Sequence, residues 1–332
     1  MQRWWSFLFG AVMIAATASF IVAPVFGWWL PPNVSTFGPR VDALFYIILG
    51  ITGFFFILTE SILVYFMYKY AGELGGRRQV YQDNAGAPTS PSALQRLFRP
   101  VTAIIHDQHR LELAWTIVPA VILLFIAFVQ VNTWEEIKYL SRMPKPDQQP
   151  LQIEVSARQF EWRIRYPSPE RLRSWEKDAA LAKDFGTKQG KHEDDVYIVN
   201  EVHTWKDQKV LVHLTTRDVI HSFYLPNLRL KQDALPGKTI PVWFEAVESN
   251  TKREGSDRWV DGGGFDPKTK APKDPAKVWE LACAELCGWG HYKMIGRLYV
   301  HDSKDDFFSW LEQARKNQNL TQPPENTATA SR

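Results

Sequence analysis

The chain has 332 residues, with 39 Lys+Arg against 36 Asp+Glu and only 2 Cys. Its content of 45% hydrophobic and 14% aromatic residues excludes an intrinsically disordered chain. Two cysteines cannot support a disulfide-dense secreted scaffold, and a net charge of +3 is not the charge of a nucleic-acid-binding protein. The length allows two or three domains.

Three long apolar runs lie within the first 132 residues. The clearest, residues 113–131, has 19 residues without a charge, which is about the length needed to cross a bilayer. Residues 43–68 contain a single charge and form a second predicted span. The first run, residues 4–29, fits a signal peptide within residues 1–30, with Arg3 as its charged flank and Ala16-Thr17-Ala18 as a cleavage site. It equally fits an additional span, because tryptophan pairs stand at both of its ends. The sequence therefore predicts two or three transmembrane helices.

The charges of the loops predict the orientation. Between the two clear spans, residues 69–111 contain six basic residues: Lys69, Arg77, Arg78, Arg96, Arg99 and Arg110. Short loops rich in Lys and Arg stay on the cytoplasmic side. We therefore expect residues 31–132 to form a transmembrane hairpin with a cytoplasmic loop, and everything after it to lie outside.

The pattern of residues 133–316 is that of an exterior β domain. Residues 152–166 alternate with period two, as a half-buried strand does. Further predicted strands are residues 196–202, 210–215, 239–247, 278–284 and 297–301. Several short strands separated by turn signals indicate a sandwich or barrel.

The remaining segments of this region are polar. We expect residues 167–193 and 249–276 to be surface insertions. Residues 305–316 have the pattern of an amphipathic closing helix, and residues 317–332 are predicted to be a disordered tail.

The residues that carry chemistry are concentrated in residues 283–294, CAELCGWGHYKM. Both cysteines of the chain lie here, Cys283 and Cys287, followed by His291 and Met294. Thiolate and thioether sulfur beside an imidazole favours copper or another soft metal. The segment lies between two predicted strands, so a loop there can fold its donors around one point.

One histidine upstream is a further candidate ligand. His221 lies at the predicted end of an apolar strand, just before a proline turn, where ligands carried by loops are common. His203 and His213 lie in or beside predicted strands, so structural or exposed roles are expected for them.

Other interpretations fit the same spacing. A disulfide between Cys283 and Cys287 suits an exterior domain but gives His291 and Met294 no role. A zinc ion would take the two cysteines together with His221 and His291. Buried free thiols are a further interpretation. The donor chemistry favours copper, and zinc stays open.

The predicted spans, the β domain and the segments DVIHSFYLP, LKQDALPG and CAELCGWGHYKM resemble subunit II of cytochrome c oxidase, in the haem–copper oxidase superfamily. The resemblance covers residues from about 40 to 316. It implies a membrane-anchored α plus β chain whose exterior domain is a cupredoxin-like β-barrel. It also implies that the chain accepts electrons from cytochrome c and passes them to haem in subunit I, where oxygen is reduced to water and protons are translocated.

The resemblance further implies a binuclear copper centre with six ligand residues. They are His221, Cys283, Glu285, Cys287, His291 and Met294. Both thiolates would bridge two copper ions and each imidazole would bind one of them. The thioether and the backbone carbonyl of Glu285 would be weak ligands, and the Glu285 carboxylate would reach a magnesium ion shared with subunit I.

Further residues match family positions outside the copper centre. Phe160 and Trp162 lie in the aromatic segment that receives the electron, although Phe160 stands where tryptophan is usual. Asp233 matches an acid of the donor-docking region, and otherwise it is a plain turn residue. Glu112 matches an acid at the entrance of a proton pathway, and otherwise it is a carboxylate near a helix start.

The partners implied by the resemblance are subunit I, subunit III, cytochrome c and the lipid membrane, with no nucleic acid. No Cys-x-x-Cys-His sequence occurs, so no haem is expected in this chain. The expected location is the inner membrane of a bacterial cell, with the copper domain on the periplasmic side. The alternative functions are a membrane-tethered copper-binding or copper-delivery protein without redox turnover, and a zinc-stapled exterior receptor.

Overall fold

The computed structural model describes residues 2–70, 108–145, 148–187, 189–254, 258–262, 264–266 and 268–321. Most of the predicted cytoplasmic loop, including Arg77, Arg78, Arg96 and Arg99, lies outside the described residues, as do residues 322–332 of the predicted tail. The chain forms two compact units. The first combines Met1–Trp28 with Ala43–Asn132, and the second combines Trp29–Asp42 with Thr133–Arg332.

Three long helices carry the apolar runs. They are α1 (Gln2–Val22), α2 (Gly38–Tyr70) and α3 (Gln108–Lys138). In the described part of the chain, three stretches are long and apolar enough to cross a membrane: Trp4–Phe26, Gly38–Lys69 and His109–Lys138. Apart from Ser6 and Ile137, which lie near the ends of two of the stretches, their side chains are unburied within the protein, as expected of segments whose solvent is lipid. The prediction of two or three such helices is confirmed, and their number here is three.

The second unit contains two five-stranded sheets. The first has the order β3–β2–β1–β5–β8 and consists of Val196–Val199, Glu161–Tyr166, Leu151–Arg158, Lys209–Thr216 and Ile240–Glu245. The second has the order β4–β12–β11–β6–β7 and consists of Glu201–Trp205, Ile295–His301, Trp279–Cys283, His221–Leu225 and Leu230–Ala234.

One hydrophobic core joins the two sheets. It includes Trp162 and Val155 of the first sheet and Phe223 and Leu298 of the second, all of them fully buried. Trp162 packs edge-on against Phe223, with ring centroids 5.5 Å apart. The prediction of a sandwich or barrel of β-strands after the apolar helices is therefore confirmed.

The expected single strand over residues 152–166 is a hairpin. Strands β1 and β2 pair antiparallel from Glu154 with Arg165 to Arg158 with Glu161, which leaves Gln159 and Phe160 as the turn. Strand β1 is buried along almost its whole length instead of on alternate residues, because it is covered on both of its faces.

The covering of the outer face comes from residues 167–193, which are more than a surface insertion. They contain helix α4 (Pro169–Lys177), and they bury Leu172, Trp175 and Phe185. Arg165 of β2, 2% exposed, donates hydrogen bonds to Glu154 and Asp195 and to backbone carbonyls of this segment. Apolar burial together with a satisfied buried cation makes this segment part of the domain.

The other predicted insertion and the closing helix also differ from expectation. Residues 249–276 contain a short hairpin of β9 (Thr251–Glu254) and β10 (Arg258–Asp261). The closing helix α5 spans Lys304–Thr321, so its described part continues beyond residue 316, where the tail was predicted to begin.

Candidate metal centre

His221 and Cys283 are brought together by the pairing of two strands. His221 is the first residue of β6 and not, as predicted, the end of a strand, whereas Cys283 is the last residue of β11. Cys283 pairs with Phe223, two residues after His221. The Cys283 Sγ therefore lies 3.8 Å from the His221 Nδ1, although 62 residues separate them in the chain.

The other donors come from the loop between β11 and β12. Backbone hydrogen bonds from His291 to Gly288 and from Met294 to His291 fold this loop into a tight helical turn. The Cys287 Sγ lies 3.5 Å from the His291 Nδ1 and 3.9 Å from the Met294 Sδ. Since β12 begins at Ile295, the end of the loop is fixed by the second sheet.

The two sulfurs meet at the centre of this group. The Sγ atoms of Cys283 and Cys287 are 4.0 Å apart, which excludes the disulfide alternative in this structure, because a disulfide needs about 2.05 Å. Metal–thiolate bonds are about 2.3 Å long, so both sulfurs can bind the same ion. Among the described residues, the ligand atoms of His221, Cys283 and Cys287 all lie within 4.8 Å of one another.

Burial and donor chemistry suit a soft metal. His221 and Met294 are fully buried, Cys287 is 3% exposed and Cys283 is half-buried. Two thiols, two imidazoles and a thioether form a set that selects copper over hard cations, and the thioether adds a donor that a structural zinc site does not use. The carbonyl oxygen of Glu285 lies 3.2 Å from the Cys283 Sγ, while the Glu285 side chain is exposed.

The electrostatics of the site prepare one thiol for ionisation. Burial opposes the charged form of Cys283, but hydrogen bonds with His221 and the backbone of Ser222 outweigh it and lower the pKa of this thiol to about 6. Burial and the neighbouring charge of Cys283 raise the pKa of Cys287 to about 11. Burial disfavours charged His221, yet its bonds to Cys283 and Asp218 raise its pKa. A bound metal removes the protons from both thiols.

The other predicted site residues are Trp162, Phe160 and Asp233 of the β domain and Glu112 of the first unit. Trp162 is fully buried, with its ring 6.2 Å from the His221 ring. Phe160 is half-buried and packs edge-on against Trp289 at 5.3 Å. Asp233 is exposed and accepts a 2.6 Å hydrogen bond from the Ser222 hydroxyl. Glu112 lies on α3 in the first unit, 3.9 Å from the His109 Nδ1.

Three residues around the site were missed by the sequence analysis. Asp218 contacts the His221 ring, and Gln159 contacts the carbonyl of Cys287. Trp289, 81% exposed, lies between Cys287 and His291. The position of Asp218 three residues before a ligand, and of Trp289 within the ligand loop, could have indicated both; nothing in the sequence marks Gln159.

Apolar helices long enough to cross a membrane, followed by a β domain that gathers soft donors, are features of a membrane-bound protein with a soft-metal site. Sequence models of two domains match it: "Cytochrome C oxidase subunit II, periplasmic domain" over residues 151–255 and "Cytochrome C oxidase subunit II, transmembrane domain" over residues 95–132. Over the matched residues the chain is similar to cytochrome c oxidase subunit II.

Curated relatives agree with the family match. A probable cytochrome c oxidase subunit 2 of Rickettsia conorii is 28% identical over 65% of this chain and 57% of its own length. Cytochrome c oxidase subunit 2 of Thermostichus vulcanus is 23% identical over 89% of this chain and 80% of its own. The alternative cytochrome c oxidase subunit 2 of Bradyrhizobium diazoefficiens is 29% identical over 49% and 51%. The chain thus spans little more than half of the first and third relatives.

Two solved structures are similar to this chain at lower sequence identity. The periplasmic domain of subunit II of cytochrome oxidase of Bradyrhizobium japonicum is 22% identical, with a TM-score of 0.35, and the match covers 53% of this chain and 98% of that domain. A chain of a haem–copper terminal oxidase dimer is 14% identical, with a TM-score of 0.31, over 59% of this chain and 99% of its own.

Proposed function

We propose that this chain is subunit II of a respiratory cytochrome c oxidase, which accepts electrons from cytochrome c and passes them to haem in subunit I. The observation that carries the proposal is the gathering of His221 with Cys283 and Cys287 within 4.8 Å, with His291 and Met294 beside them. Two strand ends and one loop that is fixed at both ends by the second sheet hold these donors, so they keep their geometry when the charge of the site changes.

The donor set fits a binuclear copper centre. We propose that Cys283 and Cys287 bridge two copper ions, that each histidine holds one of them, and that Met294 and the carbonyl of Glu285 are weak ligands. Copper in such a site supplies one-electron transfer. The exposed carboxylate of Glu285 is proposed to hold a magnesium ion together with subunit I.

The electron is proposed to arrive through the aromatic residues beside the site. Phe160 is half-buried between the surface and the ligand loop, and Trp162 lies edge-on to the ring of His221. The exposed carboxylate of Asp233 is proposed to contact the donor. Its hydrogen bond from Ser222 connects it to the residue that follows the ligand His221.

The proposed setting is a bacterial inner membrane, with subunits I and III as partners and the β domain on the periplasmic side. The three apolar helices support the membrane location. Glu112 on α3 is proposed to lie at the entrance of a proton pathway of the complex. No haem is proposed for this chain.

Metal analysis and electron paramagnetic resonance of the complex purified from membranes test the proposal. We expect two copper ions per chain, a mixed-valence two-copper signal, and oxygen consumption with reduced cytochrome c. One copper per chain with no oxidase activity would instead support the copper-delivery alternative, and zinc alone would overturn copper binding altogether.

A further inference from the structure

Two residues that are not metal ligands connect the separate ligand segments. Gln159 lies in the β1–β2 turn and Asp218 lies just before β6, and 59 residues separate them in the chain. The backbone N–H of Gln159 donates a 2.7 Å hydrogen bond to the Asp218 Oδ2. One turn and one loop are thereby joined directly beside the donors.

Asp218 fixes the orientation of one ligand ring. Its Oδ1 lies 2.8 Å from the His221 Nε2 and also accepts a 2.7 Å hydrogen bond from the backbone N–H of Val219. With Nε2–H donating to the carboxylate, the other ring nitrogen is left as the one that can bind a metal. That atom, Nδ1, faces the Cys283 Sγ at 3.8 Å. A carboxylate in this position holds the tautomer and makes the imidazole a stronger donor.

Gln159 fixes the other ligand segment. Its side-chain Nε2 donates a 2.5 Å hydrogen bond to the carbonyl oxygen of Cys287. The fit there is tight, because a Cβ on Gly288 would lie 2.8 Å from this same nitrogen, and Gly288 has a φ of +129°. The next glycine, Gly290, packs so closely on Phe160 that a Cβ would meet its ring at 2.4 Å.

We propose that Gln159 and Asp218 form a positioning pair, which holds the Cys287 loop and the His221 ring in register and thereby sets the affinity and the reduction potential of the copper centre. The inference rests on the proposed function, since it concerns that same site. Neither side chain donates an atom to the metal, so both act through the ligands they contact.

The variants Asp218→Asn and Gln159→Leu test the pair in the full chain within the purified oxidase. Asp218→Asn removes the charge that faces His221, and Gln159→Leu removes the donor to Cys287 but keeps the backbone bond to Asp218. Removal of such contacts typically lowers metal affinity about 10- to 100-fold. We expect losses of that order for each variant, with an upward shift of the reduction potential for Asp218→Asn, because a negative charge near the site stabilises its oxidised form.

Matched controls are available in the same domain. Asp302→Asn removes a carboxylate that accepts a hydrogen bond from Ser249 at the far end of β12, and Gln208→Leu removes an amide that donates to the carbonyl of Gln149. Asp218→Glu restores the carboxylate. The controls should keep the copper affinity, the paramagnetic spectrum and the potential of the unmodified chain, and Asp218→Glu should recover part of the affinity.

The readouts are copper affinity by competition with a chelator, the paramagnetic spectrum, and a potentiometric titration. An Asp218→Asn or Gln159→Leu chain with unchanged affinity, spectrum and potential would overturn the positioning pair while leaving the copper centre in place. An unmodified chain without a copper signal would overturn the proposed function itself. If Asp218→Asn fails to assemble, Gln159→Leu alone decides, because it leaves the His221 contact intact.

Discussion

The β domain contains two pairs of histidines in opposite environments. His221 and His291 lie beside sulfur donors, whereas His203 and His301 lie in an aromatic cluster, with a 3.0 Å contact between the His203 Nδ1 and the His301 Nε2. The His203 ring is stacked on Trp310 at 3.7 Å and on Tyr299 at 4.4 Å. The surroundings of each pair, and not the residue type, decide between a metal site and a packed core.

The pKa values express the same difference. The bonds of His221 to Cys283 and Asp218 overcome burial and raise its pKa. Burial holds the pKa values of His203 and His301 well below the usual value, so both are neutral in the folded protein. His221 is prepared to exchange protons or metal, whereas His203 and His301 contribute to stability only as neutral aromatic side chains.

The largest expected effect is the loss of bound copper. Cys283→Ser removes a soft ligand at the centre of the cluster, and serine oxygen is a poor substitute for thiolate toward copper. We expect copper to be lost from the purified chain, as measured by metal analysis and the paramagnetic signal. Ser249→Ala, which removes a half-buried hydroxyl that donates to Asp302, is the control and should keep full copper. Full copper occupancy in Cys283→Ser would contradict the role of this sulfur.

Replacement of His203, which belongs to the aromatic pair, should lower the stability of the chain and leave its copper in place. His203→Ala opens a cavity between Tyr299 and Trp310, and a loss of about 2 to 4 kcal/mol of unfolding free energy is expected from such a truncation. Copper content should stay unchanged. A thermal melt of the full chain in detergent measures the loss, and the exposed His192→Ala is the matched control. A His203→Ala chain that melts normally but lacks copper would reverse the assignment of the two pairs.

The aromatic histidine pair should also make the stability of the chain depend on pH. Because the folded pKa values of His203 and His301 lie below the unfolded value of about 6.5, the unfolded chain binds more protons once the pH falls below 6.5. Each histidine then costs up to about 1.4 kcal/mol per pH unit. We expect the melting temperature to fall between pH 6.5 and 5.5, and to fall less in a His203→Gln chain. An equal fall of the melting temperature with pH in both chains would exclude His203 as a source of the acid sensitivity.

His213 adds to this acid sensitivity. Burial lowers its pKa to about 4, although the nearby Glu154 opposes the shift. In the metal-free chain His221 has the opposite sign, since its raised pKa gives stability that is lost as the pH rises through that value.

The smallest effect is expected at Met294, the side chain proposed as a weak ligand. Met294→Leu keeps the volume of a fully buried side chain and removes only the thioether. Copper content should be retained, and the reduction potential should shift upward because a donor that would stabilise the oxidised site is lost. Potentiometric titration measures the shift. Met143→Leu, a buried methionine elsewhere in the domain, should leave the potential unchanged; the same shift in both variants would remove Met294 from the ligand set.

Much of the fold was predictable because its signals are local. The apolar runs of α2 and α3 are long enough to cross a bilayer, and strands such as β5 and β12 were located to within a few residues. The hairpin of β1 and β2 was missed, although the apolar positions shift from odd residues before Gln159 to even residues from Phe160 onward, where the turn lies. The burial of Trp175 and Phe185 was missed because polar residues surround them in the sequence.

The candidate site, like the fold, was only partly predictable from the sequence. Cys283, Cys287, His291 and Met294 lie within twelve residues, so their spacing alone indicated a soft-metal loop. The tertiary structure decided the rest. Strand pairing brought His221 to Cys283, the β1–β2 turn placed Gln159 against Cys287, and aromatic packing made His203 and His301 structural. The chemical type of the donors and the transmembrane spans follow from residues that are neighbours in the sequence. The residues that contact each donor side chain, and the pKa of that side chain, depend on segments that only the folded sheets bring together.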